Sequence, residues 1–463
     1  MDSSSRSVAN EDLLSVSAEK KRGRRAKGWL GSSVLGIPTP ARLISVAYGV
    51  ADQALAVGAG FLVNVALART QTKEEYGMFA LSYSVFTFLS GVHNAAILEP
   101  CTVYGSGRYR DRLPEYLRLM IRSNALTGVL LSGVLLLSGL VLLNVGPQYA
   151  PRSLWGLALT VGVLLSGAFL RRVFYLQYRA DLAAKTSLVF FITVACGVWL
   201  MLRMHRLDSF SVFLILALGW IAGGVSFGRK LAMGSPKLRF IELEPRYWRE
   251  HWKYAKWVLA TAFVFQFLNQ GYYWIVAGFL SVKDVAELRA MYLLIAPVDQ
   301  VFISLSFLFL PVLAANYSAQ KMGKFFSQWK RYVLAVAGVT AAFAVVVRVL
   351  GNQALHTIYS GKFDGLASLL FAIAFVPLLI GIGGTMNDAL KAFEKPRLVF
   401  YAYLCSGGAT FLVGIPLVIH FGLRGAVYGM LISAATYTLA LAVGFYSAIH
   451  TRFASPAIGA GEQ

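Results

Sequence analysis

Acidic side chains are scarce in this chain: 22 Asp and Glu stand against 43 Lys and Arg, and the four types together make up 14% of 463 residues. A soluble protein of this length carries charge on about a quarter of its residues. A water-soluble globular domain is therefore excluded. The formal charge of +21 raises nucleic acid as a partner, but the basic residues fall in short segments between apolar runs, so none is expected. Cys101, Cys196 and Cys405 lie inside apolar runs at unrelated spacings, which leaves no disulfide framework or zinc site. The six histidines are scattered singly, and no H-E-x-x-H or D-x-D occurs. The pairs Gly323-Lys324 and Gly361-Lys362 lack both the upstream glycine and the following hydroxyl of a phosphate-binding P-loop. No loop is long enough for a catalytic domain. The chain is read as a non-enzyme without cofactor or metal, and any transport must draw on an ion gradient or on the substrate's own.

What is abundant is apolar sequence: 57% of residues are hydrophobic and the mean hydropathy is +0.61. Runs at about 43–68, 78–104, 119–143, 153–174, 183–202, 210–228, 254–281, 289–315, 332–350, 366–390, 398–420 and 425–448 are each close to the length of a bilayer-spanning helix. If the N-terminus is cytoplasmic, 33 of the 43 Lys and Arg fall in the segments on that side. Such a bias through every odd and even loop predicts twelve spans with both termini cytoplasmic. Residues 1–42 read as a disordered tail rather than a signal peptide, with a basic cluster at 20–27 beside the membrane.

A charged stretch at 229–253 divides the spans into an N-terminal bundle, 43–228, and a C-terminal bundle, 254–450, followed by a tail at 451–463. Met78-Phe79 matches Met291-Tyr292, Pro100 matches Pro311, and Tyr178 matches Phe393, at offsets of 211 to 215. Each half holds an even number of spans, so the repeat is parallel, as in transporters built around a central cavity. The expected fold class is all-α integral membrane, about twelve transmembrane helices in two pseudo-symmetric six-helix bundles.

Polar groups inside spans are costly and face protein or a wet cavity. Asp52, beside Gln53 in the first span, is either a cavity group or the acid of a structural pair. Asn64 shares a face with Gln53. In the seventh span Gln266, Asn269, Gln270 and Tyr273 recur at helical spacing and form a polar stripe, which serves as interhelical glue or as a wall suited to sugar hydroxyls. Asp299, two residues after Pro297 in the middle of the eighth span, and Asp388 in the tenth are candidates for proton or cation coupling, with ion pairing as the alternative. Arg171, Arg172 and Lys391 sit at the basic ends of their spans, as topology anchors or as partners for an anion.

The combination of Asp52-Gln53, the run Phe61-Leu62-Val63-Asn64-Val65-Ala66-Leu67-Ala68-Arg69 and Tyr76-Gly77-Met78-Phe79-Ala80-Leu81 resembles the polysaccharide-transporter branch of the multidrug/oligosaccharidyl-lipid/polysaccharide (MOP) exporter superfamily, the Wzx-type flippases. The resemblance implies a MATE-like V of two six-helix bundles in a bacterial inner membrane. It implies alternating-access flipping of an undecaprenyl-pyrophosphate-linked oligosaccharide for surface polysaccharides such as exopolysaccharide or lipopolysaccharide. Partners would be that lipid-linked oligosaccharide, the phospholipid bilayer, and a polysaccharide polymerase with other biosynthetic proteins. The family supplies no short motif that fixes a functional residue. An ion-coupled multidrug exporter of the same superfamily, a membrane polymerase or ligase, and a scaffold within a biosynthetic complex are the alternatives.

Overall fold

Lipid offers no hydrogen bonds, so each apolar run closes its own backbone ladder as a helix. The computed structural model describes residues 40–145, 150–230 and 245–454. The basic cluster at 20–27, residues 231–244 of the expected linker and the tail at 455–463 lie outside the described residues. The helices are α1 (Pro40–Thr70), α2 (Lys73–Ser106), α3 (Leu113–Val145), α4 (Ala150–Leu176), α5 (Ala180–Arg203), α6 (Ser209–Phe227), α7 (Pro245–Phe279), α8 (Val282–Ser318), α9 (Met322–Tyr359), α10 (Ala367–Ala392), α11 (396–421) and α12 (423–454).

Among the described residues, ten continuous segments are long and apolar enough to cross a membrane. One of them, Pro396–His450, passes through a non-helical corner at Gly422 (φ 60°, ψ −140°) and so makes two passes. The polar stripe and basic first turns of α7 keep it below that standard of apolarity, and it completes the twelve. The fold is an all-α membrane architecture of the expected size. Helix α7 begins at Pro245, so the second part of the charged connection is helical rather than linker.

The α4–α5 and α10–α11 corners share a backbone motif that also ends α5, α8 and α9. Tyr178 (φ 57°) and Glu394 (φ 59°) take the left-handed conformation at the α4–α5 and α10–α11 corners. At each corner the following residue's amide closes a six-residue turn, Arg179 to Phe174 at 2.8 Å and Lys395 to Leu390 at 2.9 Å. Helices α2 and α8 likewise start from equivalent caps, Thr72 accepting from the Glu75 amide and Ser281 from the Asp284 amide, which satisfies donors that a helix start leaves unpaired.

Helices α1 to α6 pack mainly on one another, as do α7 to α12, and the two sets meet through α2, α7 and α8. The main core crosses that junction: Tyr76 and Phe79 of α2 lie with Val276 of α7, Val285 of α8 and Phe363 after α9. The outer surface is apolar. Along α3, Val129, Leu137 and Val141 are each more than 60% exposed, a pattern that suits hydrocarbon and that a soluble surface avoids.

Candidate functional site

At one end of the molecule the two halves interlock. Lys73 pairs with Glu287 (2.7 Å) and Glu74 with Lys283 (2.9 Å), so the starts of α2 and α8 exchange charges reciprocally. Between them the backbones touch: a Cβ on Gly77 would lie 2.0 Å from the Val282 carbonyl oxygen. Arg69 Nε donates to Ser360 Oγ (3.0 Å), and Lys362 Nζ donates to the carbonyls of Ala68 (2.8 Å), Arg69 (3.1 Å) and Gln71. Lys362 thereby covers the open carbonyls at the end of α1. Burial, and then the neighbouring Lys73 ammonium, lower its pKa below the usual lysine range, so its charge is held there at some cost.

About 10 Å further in, at 1.5 Å per helical residue, lies a cation at the first residue of the eighth apolar run, which the sequence alone does not single out. Arg289 is half-buried inside α8. Its Nε donates to Asn64 Oδ1 of α1 (3.0 Å), and its guanidinium lies 4.9 Å from the Tyr83 ring centroid and 5.9 Å from that of Tyr273. Among the described residues no carboxylate pairs with it. The Tyr76 and Tyr273 hydroxyls are buried, with no hydrogen-bond partner among the described residues. A guanidinium only donates, so it accepts neither phenol proton. The two phenol protons and the guanidinium thus converge from both halves, with Asn64 Oδ1 and the phenol oxygens as the neutral acceptors and no carboxylate among the described residues.

Asp52 is fully buried in the N-terminal half. Arg171 holds it in bidentate fashion (Nη2 to Oδ2, 2.7 Å; Nε to Oδ1, 3.0 Å), and Tyr175 (2.6 Å) and Ser187 (2.5 Å) also donate to it. Arg171 reaches Gln53 Oε1 as well (3.0 Å) and lies 5.9 Å from the Trp220 ring centroid. Of the two readings weighed for Asp52, this geometry is that of an ion pair joining α1 to α4. Arg172 turns instead to Asn94 Oδ1 (2.9 Å), at the start of a π-helical turn in α2.

The α7 stripe divides among its neighbours. Gln266 fills the space above Gly91 of α2, where a Cβ would meet its Nε2 at 2.0 Å. Tyr273 faces Arg289, and Gln270, three residues before Tyr273, is half-buried. Asn269 lines a separate cavity of about 350 Å³ inside the C-terminal half, with Lys391 among its other walls. Asp388 is buried behind that wall, accepting from Tyr332 (3.0 Å) and 3.9 Å from Lys391 Nζ. Asp299 accepts from Tyr292 (3.3 Å), whose ring also lines the cavity.

The two flanks between the halves differ. Helices α2 and α7 stay together along their length: Trp274 donates to Ser84 (2.9 Å), and far from the interlocked end His251 donates to the Ala96 carbonyl (2.8 Å) while Glu250 pairs with Arg108 (2.9 Å). Helices α1 and α8 touch only briefly, and the hydrogen bond between them is the one from Arg289 to Asn64. Beyond it Val50 of α1 and Leu308 of α8 are more than 60% exposed.

No protein-family model matches the sequence, and no curated protein matches it. Solved structures do. An inward-facing multidrug-resistance MATE family transporter of the MOP superfamily is similar with a TM-score of 0.71 at 12% identity, over 87% of this chain and 95% of that one. The lipid II flippase MurJ, in an inward closed conformation, is similar at TM-score 0.68 and 14% identity over 87% of both chains. An outward-facing MATE transporter gives 0.60 at 10% identity over 89% and 96%. The fold is that of the MOP-superfamily transporters. Multidrug exporters and a lipid flippase share it, and at these identities the likeness concerns the fold alone. A MOP-type fold accounts for the paired six-helix sets and for the two flanks along which they meet.

Proposed function

We propose that the protein flips a lipid-linked sugar carrying an anionic pyrophosphate, of the undecaprenyl-linked oligosaccharide class, from the cytoplasmic to the outer leaflet of a bacterial plasma membrane by alternating access. With the termini cytoplasmic, as the Lys and Arg bias favours, the interlocked end is the outer end. The molecule is then closed to the outside and parted along α1 and α8 toward the cytoplasm. A prenyl chain in lipid and a polar head between the halves suit that parted flank.

The observation that carries this reading is the nest of Arg289, Tyr76 and Tyr273, a cation and two unpartnered phenols with no carboxylate beside them among the described residues. A planar guanidinium favours phosphate oxygens, and charge-assisted bonds to it are roughly twice as strong as neutral ones. An anion seated there contacts groups of α2, α7 and α8 together, so its binding draws on both halves and couples to their movement. At the closed end Glu74–Lys283 is solvent-exposed and Lys73–Glu287 is partly buried; exposed pairs hold weakly, which suits contacts broken once per cycle.

The test is export of surface polysaccharide in a strain that depends on this protein. Arg289→Gln abolishes export at unchanged protein level, and Arg289→Lys keeps part of it. Full export by Arg289→Gln removes the reading, and drug sensitivity in place of lost polysaccharide on deletion replaces it with the multidrug exporter.

A further inference from the structure

The cavity in the C-terminal half has a lining of its own, although its Tyr272 and Tyr292 adjoin Tyr273 and Arg289 of the nest along α7 and α8. Helix α10 supplies one wall through Ile380, Gly384, Asn387 and Lys391, in steps of three and four residues, which places them on one helical face. At about 350 Å³ it is in the range of small-molecule sites.

Its chemistry narrows the occupant. Tyr403 and Tyr437 stack with centroids 5.0 Å apart and both line the space. Asn269 and Asn387 bring amides, and the Asn387 Oδ1 is buried without a hydrogen-bond partner among the described residues. At another wall Tyr272, Thr410 and Ser433 form a hydroxyl cluster, with Ser433 3.0 Å from Tyr272 and 2.8 Å from Thr410. Thr410 opens a π-helical turn in α11, a distortion that recurs at functional sites. Among the described residues no carboxylate lines the cavity. Asp388 is turned to Tyr332, and Asp299 lies behind Tyr292.

An amphipathic cation would find no counter-charge here. A neutral, hydroxyl-rich ring finds aromatic faces for its C–H groups and amides and hydroxyls for its O–H groups. One charge is available to it, Lys391, whose side chain is 50% exposed and stands 3.9 Å from Asp388, too far for a hydrogen bond. Its ion pair with Asp388 is long and leaves the exposed ammonium able to meet an anion as well.

We propose that this cavity is a carbohydrate subsite that takes a sugar ring of a glycosyl phosphate, with Asn387 and Asn269 bonding its hydroxyls and Lys391 meeting its phosphate. The proposal rests on the flippase reading for its source of sugar and deepens it by giving the glycan a place distinct from the nest.

Gly384 offers a clean way to block the site. A Cβ there meets no atom within 4 Å, and leucine favours helix over glycine by close to 1 kcal/mol, so Gly384→Leu fills the cavity without straining the fold. Saturation-transfer NMR on the purified full-length protein in nanodiscs reads binding of a panel of hexose and N-acetylhexosamine 1-phosphates, with methyl glycosides and inorganic phosphate as controls. At least one sugar phosphate binds through its ring protons. Gly384→Leu abolishes that signal and Gly384→Ala keeps it. Lys391→Gln weakens the sugar phosphate about tenfold, the loss of one charge-assisted contact, and leaves the methyl glycoside unchanged.

The proposal is overturned if no panel member binds, if Gly384→Leu binds as well as wild type, or if inorganic phosphate alone displaces the whole signal. The export assay separates this failure from that of the flippase reading. Export that needs Arg289 but survives Gly384→Leu overturns the subsite and leaves the flippase. Sugar-phosphate binding blocked by Gly384→Leu, in a protein whose deletion leaves surface polysaccharide intact, keeps the subsite and overturns the flippase.

Discussion

Gly77 and Val282 approach so closely that a single methyl group does not fit between α2 and α8: the added carbon would sit 2.0 Å from the Val282 carbonyl oxygen and 2.7 Å from its Cγ1. A backbone oxygen cannot swing aside as a long side chain does. Gly77→Ala must therefore separate the two helix starts. With Cys101, Cys196 and Cys405 replaced by alanine, a cysteine pair at 69 and 360 reports the closure, since those residues are hydrogen-bonded in the closed end. Gly77→Ala lowers cross-linking several-fold, and Gly77→Leu abolishes it. Unchanged cross-linking in both variants would show that this contact does not hold the end shut.

The reciprocal ion pairs Lys73–Glu287 and Glu74–Lys283 make a second, softer contribution. Lys73→Glu places two acids together and lowers the same cross-link. The exchange Lys73→Glu with Glu287→Lys restores it, because only the sign is reversed. Raising salt from 0.15 to 1 M shortens the screening length from about 8 to 3 Å and reduces wild-type cross-linking in the same direction. Failure of the exchange to rescue would exclude a pairwise electrostatic contact.

The twelve spans were legible because apolar run length and alternating basic loops are both written locally. The Tyr76-Gly77-Met78-Phe79 segment was also legible as a feature, and the structure gives its reason, since Tyr76 is fully buried and Gly77 admits the neighbouring backbone. Arg289 was missed because charge ends an apolar run by definition. The run starting at 289 left the amphipathic first turns of α8 unassigned. The internal repeat held the missing signal: an offset near 211 maps the start of α2 at Lys73 onto 284 and draws Arg289 into the helix. The α7 stripe was visible, but its division was not, because two helix sets flank α7 and periodicity marks a face without saying what covers it.

Asp52 and Arg171 are 119 residues apart, and no spacing rule joins them. Asp52→Asn leaves the Arg171 guanidinium in a largely buried site without its counter-charge, and removal of one partner from such a pair costs about 3–5 kcal/mol. Arg171→Gln strands Asp52 in the same way. The double variant Asp52→Asn/Arg171→Gln leaves no unpaired charge and recovers most of the thermal stability lost by either single change, as followed by fluorescence-detected size exclusion after heating. Additive losses in the double variant would show that the two side chains are not one unit. Export by the double variant then shows whether the pair does more than join α1 to α4.

The Tyr273 hydroxyl offers the sharpest separation of function from stability. Buried without a partner, it carries a desolvation cost of about 1–3 kcal/mol that Tyr273→Phe removes while keeping the ring over Arg289. Without substrate the Tyr273→Phe protein is therefore at least as heat-stable as wild type. If the hydroxyl donates to the substrate's anion, the same variant exports less and gains less stability from added pyrophosphate. A hydroxyl that is only a packing flaw gives the opposite result: higher stability together with undiminished export. Tyr76→Phe tests the second buried donor on the α2 side, and its loss in export multiplies with that of Tyr273→Phe only if both hydroxyls contact the anion without sharing a proton.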